Sequence, residues 1–199
     1  MNNKIIFATG NEGKMKEVRS ILADVGTILS LKEAGIDIEI DENGATFEEN
    51  AIIKANAIKE MVDCIVLADD SGLEIDYLDK APGIYSARYM GEETSYTVKN
   101  NKILELLKDV PSQKRSARFV CAIAATFPNG KVVTTRATME GMIGYEIQGE
   151  NGFGYDPIFY LPQYKCTTAQ LGLEEKNLLS HRGKALRAMQ EVLKKEENR

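Results

Sequence analysis

The sequence predicts an α/β protein built on a mixed β-sheet, because strand-length apolar runs alternate with stretches of helical periodicity and one long hairpin interrupts them. The hairpin is the clearest signal: RFVCAIAATF (118–127) and KVVTTRATM (131–139) flank the turn residues PNG at 128–130. CIVLA (64–68) is the second, a continuous apolar run that fits a strand buried on both faces. The 199 residues suit one compact domain or two small lobes, and a 43% hydrophobic content is enough for a packed core.

The elements follow in order. KIIFA (4–8) reads as a strand, and Met15, Val18, Ile21 and Leu22 then recur at helical spacing until Gly26. TILSL (27–31) is a short strand. Thr46 followed by Glu49 matches a capping box, in which each side chain satisfies a free amide at a helix start. The helix it opens, FEENAIIKANAIKEMV, carries Ala51, Ala55, Ile58 and Met61 on one face. CIVLA empties into DDSG, and LEIDYL reads as a further strand. Val98, Ile103, Leu106 and Leu107 mark a helix near 95–108, and a last helix from about Ser180 to Lys195 buries Leu186, Met189, Val192 and Leu193. No internal repeat, low-complexity tract or linker interrupts the chain, so residues 1–199 are read as a single domain.

Composition narrows the function classes. No apolar run is long enough to cross a bilayer, and the N-terminus lacks the long apolar region of a signal peptide. Cys64, Cys121 and Cys166 are odd in number and widely spaced, which reads as reduced thiols in a cytoplasmic protein. A net charge of −5 opposes binding to a DNA or RNA backbone, yet a local cluster of cations can still hold a triphosphate.

Four places can carry chemistry. FATGNEGK (7–14) invites comparison with a Walker A loop, but Ala8 stands where the first glycine belongs and Met15 where Ser or Thr should follow the lysine. What remains is either an ordinary βα turn or a phosphate loop of another design. Gly10 and Gly13 permit close backbone approach, Thr9 and Asn11 offer donors, Lys14 adds charge, and a helix N-terminus follows. In LADDSG (67–72), Asp69 and Asp70 lie at the expected carboxyl end of a strand, where open α/β sheets bind ligands. Adjacent residues in extended chain point to opposite faces, so at most one of the two addresses a given site. Such a carboxylate holds a divalent metal, acts as a general base on water, or merely makes an Asp-Ser-Gly turn. Asp41 and Glu42 are a second acidic pair that serves as metal ligands or as a solvated loop.

GENGFGYDPIF (149–159) surrounds Phe153, Tyr155 and Asp156 with three glycines, including Gly154. Exposed aromatics there suit base stacking and the carboxylate suits a donor edge of a base; packed aromatics would make it a plain loop. In EEKNLLSHRGKAL (174–186), Ser180 is a natural N-cap, which puts His181 and Arg182 in the first helical turn. Cations at that positive end conflict with the helix dipole, and an anionic ligand would relieve the conflict. Lys176 lies nearby in sequence, and His181 is the only histidine.

In this order the segments closely resemble the inosine triphosphate pyrophosphatase family, the XTP/dITP diphosphatases. The match is carried by ATGNEGKMKEV (8–18), TFEENAIIKA (46–55), LADDSGLEIDYLDKAPGIYSARY (67–89), FGYDPIF (153–159) and SHRGKAL (180–186), with no motif residue replaced by an incompatible one. The resemblance implies an elongated mixed sheet flanked by helices, with two lobes and the active site in the cleft between them. It implies Mg2+ as cofactor, a purine nucleoside triphosphate as substrate, a homodimer, and no nucleic-acid or membrane partner.

Carried over by position, Thr9, Gly10, Asn11, Glu12, Gly13 and Lys14 would bind the triphosphate, and Ser71 would touch the substrate beside Asp70. Asp70 would be metal ligand and base on the attacking water. Glu42 would share the metal, with Asp41 next to it as the other candidate. Glu49 and Lys54 would face phosphates or metal from the capped helix. Phe153 would stack on the purine, with Gly154, Tyr155, Asp156 and Arg182 about it, and Lys176 and His181 would complete the pocket. The implied reaction is hydrolysis of noncanonical purine nucleotides (ITP, dITP, XTP) to monophosphate and pyrophosphate. The alternatives are a Maf-type pyrophosphatase acting on other modified nucleotides, a non-catalytic nucleotide-binding protein, and a nucleic-acid-binding module.

Overall fold

The structure, a computed structural model, describes residues 4–197. Its elements run β1 (Lys4–Phe7), α1 (Glu12–Ile21), β2 (Thr27–Ser30), α2 (Phe47–Lys59), β3 (Ile65–Ile75), α3 (Tyr96–Leu106), β4 (Ser116–Thr126), β5 (Val132–Ile143), β6 (Phe159–Leu161), β7 (Cys166–Thr167), α4 (Leu173–Leu179) and α5 (His181–Glu197). The seven strands form one sheet in the order β2-β1-β3-β4-β5-β6-β7. β1 pairs in parallel with β2 and β3, whereas β5, β6 and β7 pair antiparallel, so the sheet is mixed as expected. No helix among the described residues is long and apolar enough to cross a membrane.

The chain divides into two compact units, the first made of Met1–Asp70, Cys121–Ala137 and His181–Arg199 and the second of Ser71–Val120 and Thr138–Ser180. In the first unit, side-chain alternation along the strands decides what covers each face of the sheet. Ile5, Phe7, Leu67, Cys121, Ile123 and Ala125 point to the face packed by Met15 and Val18 of α1 and Leu186, Met189 and Leu193 of α5. Ile6, Ala8, Val66, Ala68 and Ala124 point to the opposite face, packed by Ala51, Ala55 and Ile58 of α2. Both faces are dry, which is why CIVLA is apolar at every position. The hairpin also forms as read: Phe127 N–H donates to Lys131 O at 2.9 Å, and Gly130 takes the left-handed φ of 80° that the turn demands.

In the second unit, Leu73, Ile75, Ile103, Leu107, Phe119, Met139, Ile158 and Phe159 make a separate core. Arg115, 1% exposed, is its polar fastener. Its guanidinium donates to Ile143 O at 2.8 Å and also to Leu107 O and Gly144 O. The cation thus satisfies the carbonyl end of α3, where a positive charge is favourable.

Four sequence expectations need correction. β3 does not stop at Ala68: it runs unbroken through Asp69, Asp70 and Ser71 to Ile75, so DDSG is mid-strand and neither a turn nor a strand end. α2 ends at Lys59, and Met61, past the C-cap at Glu60, is 53% exposed and does not belong to the buried face. In α3, Val98 and Leu106 are exposed and the inward face holds Lys99 and Asn100 instead. Those polar residues tolerate burial because Lys99 Nζ donates to Ala87 O at 2.6 Å and Asn100 Nδ2 to Gly154 O at 3.1 Å. The capping box is half formed: Thr46 Oγ1 accepts from Glu49 N at 3.1 Å, while the Glu49 carboxylate takes the amide of Ala45 at 2.6 Å.

Candidate active site

Because β3 continues through the acidic pair, alternation sends the two carboxylates to opposite faces of the sheet. Asp69 has the parity of Leu67 and faces α1 and α5; Asp70 has the parity of Ala68 and faces α2. Their partners divide accordingly.

Asp69 is 1% exposed and accepts Lys14 Nζ at 3.0 Å and Arg182 Nε at 3.3 Å. Arg182, itself 3% exposed, gives Nη1 to Glu17 at 2.6 Å. Burial alone would raise the Asp69 carboxyl, but the charges of Lys14 and Arg182 outweigh it and hold the group well below the usual carboxylate range. Burial likewise works against the Arg182 guanidinium, and Asp69 and Glu17 overcome it and hold it above its ordinary value. The expected conflict between a cation and the start of α5 is therefore met by two carboxylates of the protein itself. Asp69 likewise anchors Lys14 at the loop between β1 and α1. In that loop Asn11 caps α1, its Oδ1 accepting from Lys14 N at 3.0 Å, and Thr9 Oγ1 accepts from Asn11 N at 3.2 Å. These bonds fix the loop in a form that presents the N-terminus of α1.

On the other face, Lys54 Nζ stands 3.0 Å from Glu42 and 3.6 Å from Asp70. Asn50 donates to the remaining Asp70 oxygen at 3.0 Å. Asp70 is 7% exposed, and burial pushes its carboxyl up against the lowering effects of Lys54 and the Asn50 amide. A cleft of about 230 Å³ in this unit is lined by Thr9, Gly10, Lys14, Glu42, Lys54 and Asp69, among others. Leu31, Ile38 and Ile40 form part of its wall, and the two lysines that could meet a polyphosphate, Lys14 and Lys54, are each paired with a carboxylate.

Among the described residues no cluster of three or more His, Cys, Asp or Glu side chains is arranged to hold a metal ion. Glu42 and Asp70 nevertheless converge on one cation, Lys54, so their carboxylates already address a common volume. Two carboxylates completed by water and phosphate oxygens are the donor set typical of Mg2+, and this pair fits it. It is Glu42, rather than the exposed Asp41, that is drawn to this point.

In the second unit, Phe153 is half-buried and Lys176 Nζ lies 4.7 Å from its ring centroid. Asp156, 3% exposed, spends its carboxylate inside the loop. Oδ2 accepts from Lys176 Nζ at 2.7 Å and Phe153 N at 2.8 Å, and Oδ1 accepts from Thr168 Oγ1 at 2.8 Å. Tyr155 is a core residue: it is 4% exposed, its hydroxyl donates to Ser86 O at 2.8 Å, and its ring meets Tyr96 edge-on at 5.3 Å. Gly152 has φ 76°, and a Cβ there would lie 2.2 Å from Asp156 Oδ2. Gly152→Ala should therefore drive the carboxylate off Phe153 and Lys176. Losing one such charge-assisted bond predicts a stability lowered by about 1.5 kcal/mol or more, read as a fall in melting temperature.

Of the remaining candidates, Ser71 is the half-buried next residue of β3, Gly10 is exposed in the loop between β1 and α1, and Glu12 is the exposed first residue of α1. Gly13 and Gly154 are half-buried, and His181 is the buried first residue of α5. Sequence reasoning missed Asn50, Glu17 and Thr168. Asn50 and Glu17 could have been found from helical spacing alone, since Asn50 precedes Lys54 by four and Glu17 follows Lys14 by three.

A model of the Ham1 family matches residues 5–192. The chain is 48% identical over 198 residues to the dITP/XTP pyrophosphatase of Clostridium perfringens, covering 96% of this chain and 97% of that one. It is 49% identical over 191 residues to the dITP/XTP pyrophosphatase of Desulforamulus reducens, covering 96% and 95%. Among solved structures it is similar to the Ham1 protein of Staphylococcus aureus, with a TM-score of 0.87 and 41% identity over 98% of this chain and 100% of that one. The HAM1 protein of Coxiella burnetii is also similar, at a TM-score of 0.87 and 40% identity over 97% and 99%.

Proposed function

The chain belongs to the Ham1 family, and on that premise we propose that it is a dITP/XTP pyrophosphatase, hydrolysing noncanonical purine nucleoside triphosphates to monophosphate and pyrophosphate. The observation that carries this reading is the division of labour between two adjacent carboxylates: Asp69 anchors Lys14 at the phosphate loop, and Asp70 meets Glu42 across Lys54.

Thr9 to Lys14 hold the β- and γ-phosphates, which become the leaving pyrophosphate. The amides at the start of α1 and the Lys14 ammonium supply donors that need no reorganisation as charge develops. Asp70 takes the proton of the water that attacks the α-phosphorus, and its raised carboxyl makes it a stronger base than an exposed aspartate. Lys54, placed between Glu42 and Asp70, balances negative charge at the same point. Glu42 and Asp70 are the residues that would hold Mg2+, which when bound neutralises polyphosphate charge and lowers the pKa of water. Ser71 and His181 lie within one residue of Asp70 and Arg182 in sequence and belong to the same reading as substrate contacts.

Phe153 stacks on the purine, and Lys176, steered by Asp156, donates to the 6-oxo group. Such a pocket rejects adenine by leaving a buried donor unpaired. Asp156, Gly152 and Gly154 serve by shaping this loop, and Arg182 by fixing Asp69. Homodimerisation is part of the same proposal and is tested by light scattering.

Turnover of ITP, dITP, XTP, GTP and ATP with Mg2+, scoring pyrophosphate and orthophosphate separately, tests the reading. Pyrophosphate from ITP, dITP and XTP in strong preference to GTP and ATP is the expected result. Orthophosphate as first product, or a preference for modified pyrimidines, would replace it with another pyrophosphatase or phosphatase. Binding without product would make the protein a nucleotide-binding module.

A further inference from the structure

We infer that Asn50 is a positioning residue that sets the spacing of Glu42 and Asp70, holding the loop of one and the carboxylate of the other through the two ends of a single carboxamide. This rests on the proposal that Glu42 and Asp70 share a divalent cation.

Asn50 is fully buried on the inward face of α2. Its Nδ2 donates to Asp70 Oδ2 at 3.0 Å, and its Oδ1 accepts from Gly44 N at 2.8 Å. The chemistry fixes the orientation, because a carboxylate only accepts and a backbone N–H only donates; the reversed amide would oppose like groups at both ends. Gly44 lies two residues after Glu42, so the second bond ties down the segment that carries this carboxylate. The approach is close enough to need glycine: a Cβ at position 44 would lie 2.7 Å from Asn50 Oδ1 and 2.8 Å from Glu49 Cβ.

Lys54, one helical turn on from Asn50, closes the circuit by reaching Glu42 and Asp70 from the same face of α2. The two carboxylates thus depend on one helix for their separation, Lys54 countering their charge and Asn50 fixing their geometry. A divalent cation with a strict coordination distance is sensitive to that separation, and partners lying behind metal ligands typically control affinity 10–100-fold.

The experiment approaches the clamp from both sides, with Asn50→Ala and Gly44→Ala. Mg2+ is titrated calorimetrically into each protein holding a non-hydrolysable α,β-imido analogue of ITP. The Mg2+ concentration for half-maximal pyrophosphate release, the nucleotide KM at saturating Mg2+ and the melting temperature are measured alongside. The expected result is a Mg2+ affinity weakened about 10–100-fold in both variants, with nucleotide KM at saturating Mg2+ within about threefold of the parent. Unchanged Mg2+ affinity in a folded variant overturns the inference, as does a fall in kcat and melting temperature with no Mg2+ shift. Should Asn50→Ala fail to fold, Gly44→Ala decides alone. A parent protein that binds no Mg2+ beside the analogue overturns the metal reading itself, and this inference with it. Parent binding with unaltered variants overturns only the role of Asn50.

Discussion

Asp70→Asn is expected to lower kcat for ITP by about 10²–10⁴-fold while leaving nucleotide affinity and the melting temperature close to the parent's. The asymmetry follows from where the carboxylate sits. Its oxygen facing Asn50 accepts a hydrogen bond, which the carbonyl of an amide accepts equally well. Lys54 keeps its closer partner, Glu42, at 3.0 Å. Burial already disfavours the charged form of Asp70, so a neutral isostere removes a desolvation cost and does not open a hole. What it cannot do is accept a proton from water or offer a second anionic oxygen to a cation. Steady-state kinetics, calorimetric binding of the imido analogue and a thermal melt separate the three quantities. Undiminished turnover would remove Asp70 from the chemistry.

Much of this arrangement was legible because it depends on periodicity. The parity of apolar residues in KIIFA and CIVLA reveals a sheet covered on both faces, and the rule that neighbours in a strand diverge divides Asp69 from Asp70 before any coordinate is known. What was not legible depends on contacts between distant segments. DDSG has turn composition, and only pairing within the sheet keeps it extended. Lys99, Asn100 and Arg115 look like surface residues; each is buried because a backbone carbonyl remote in sequence needs a donor. Tyr155 and Phe153 are equivalent in the sequence pattern. The Ser86 carbonyl and the Tyr96 ring draw one of them into the core and leave the other half-exposed. The conflict of cations at the start of α5 is visible in the sequence, but the anions that meet Arg182 include Glu17, whose sequence signal is its helical spacing from Lys14.

The same substitution one residue earlier should fail for the opposite reason. Asp69→Asn is expected to destabilise the protein by about 3–5 kcal/mol, because it strips a buried charge from two cations that remain. For a chain of this size that corresponds to a melting temperature lowered by roughly 6–20 °C. Lys14, 19% exposed at its side chain, can turn toward water, but Arg182 is 3% exposed and cannot. It would keep the Glu17 carboxylate but lose the Asp69 one, against a guanidinium whose burial already opposes its charge. An amide still accepts a hydrogen bond from Arg182 but supplies no countercharge, so the loss is electrostatic and not steric. The functional consequence is secondary: a Lys14 no longer anchored at 3.0 Å raises KM for the triphosphate, while Asp70 on the opposite face retains its partners and the chemical step survives in whatever fraction stays folded. Two adjacent Asp→Asn variants should therefore differ in kind, one folded and inactive, the other active and unstable. A melting temperature for Asp69→Asn equal to the parent's would mean that Arg182 does not need the Asp69 charge and that the pair on the α1–α5 face is not the structural half of the site.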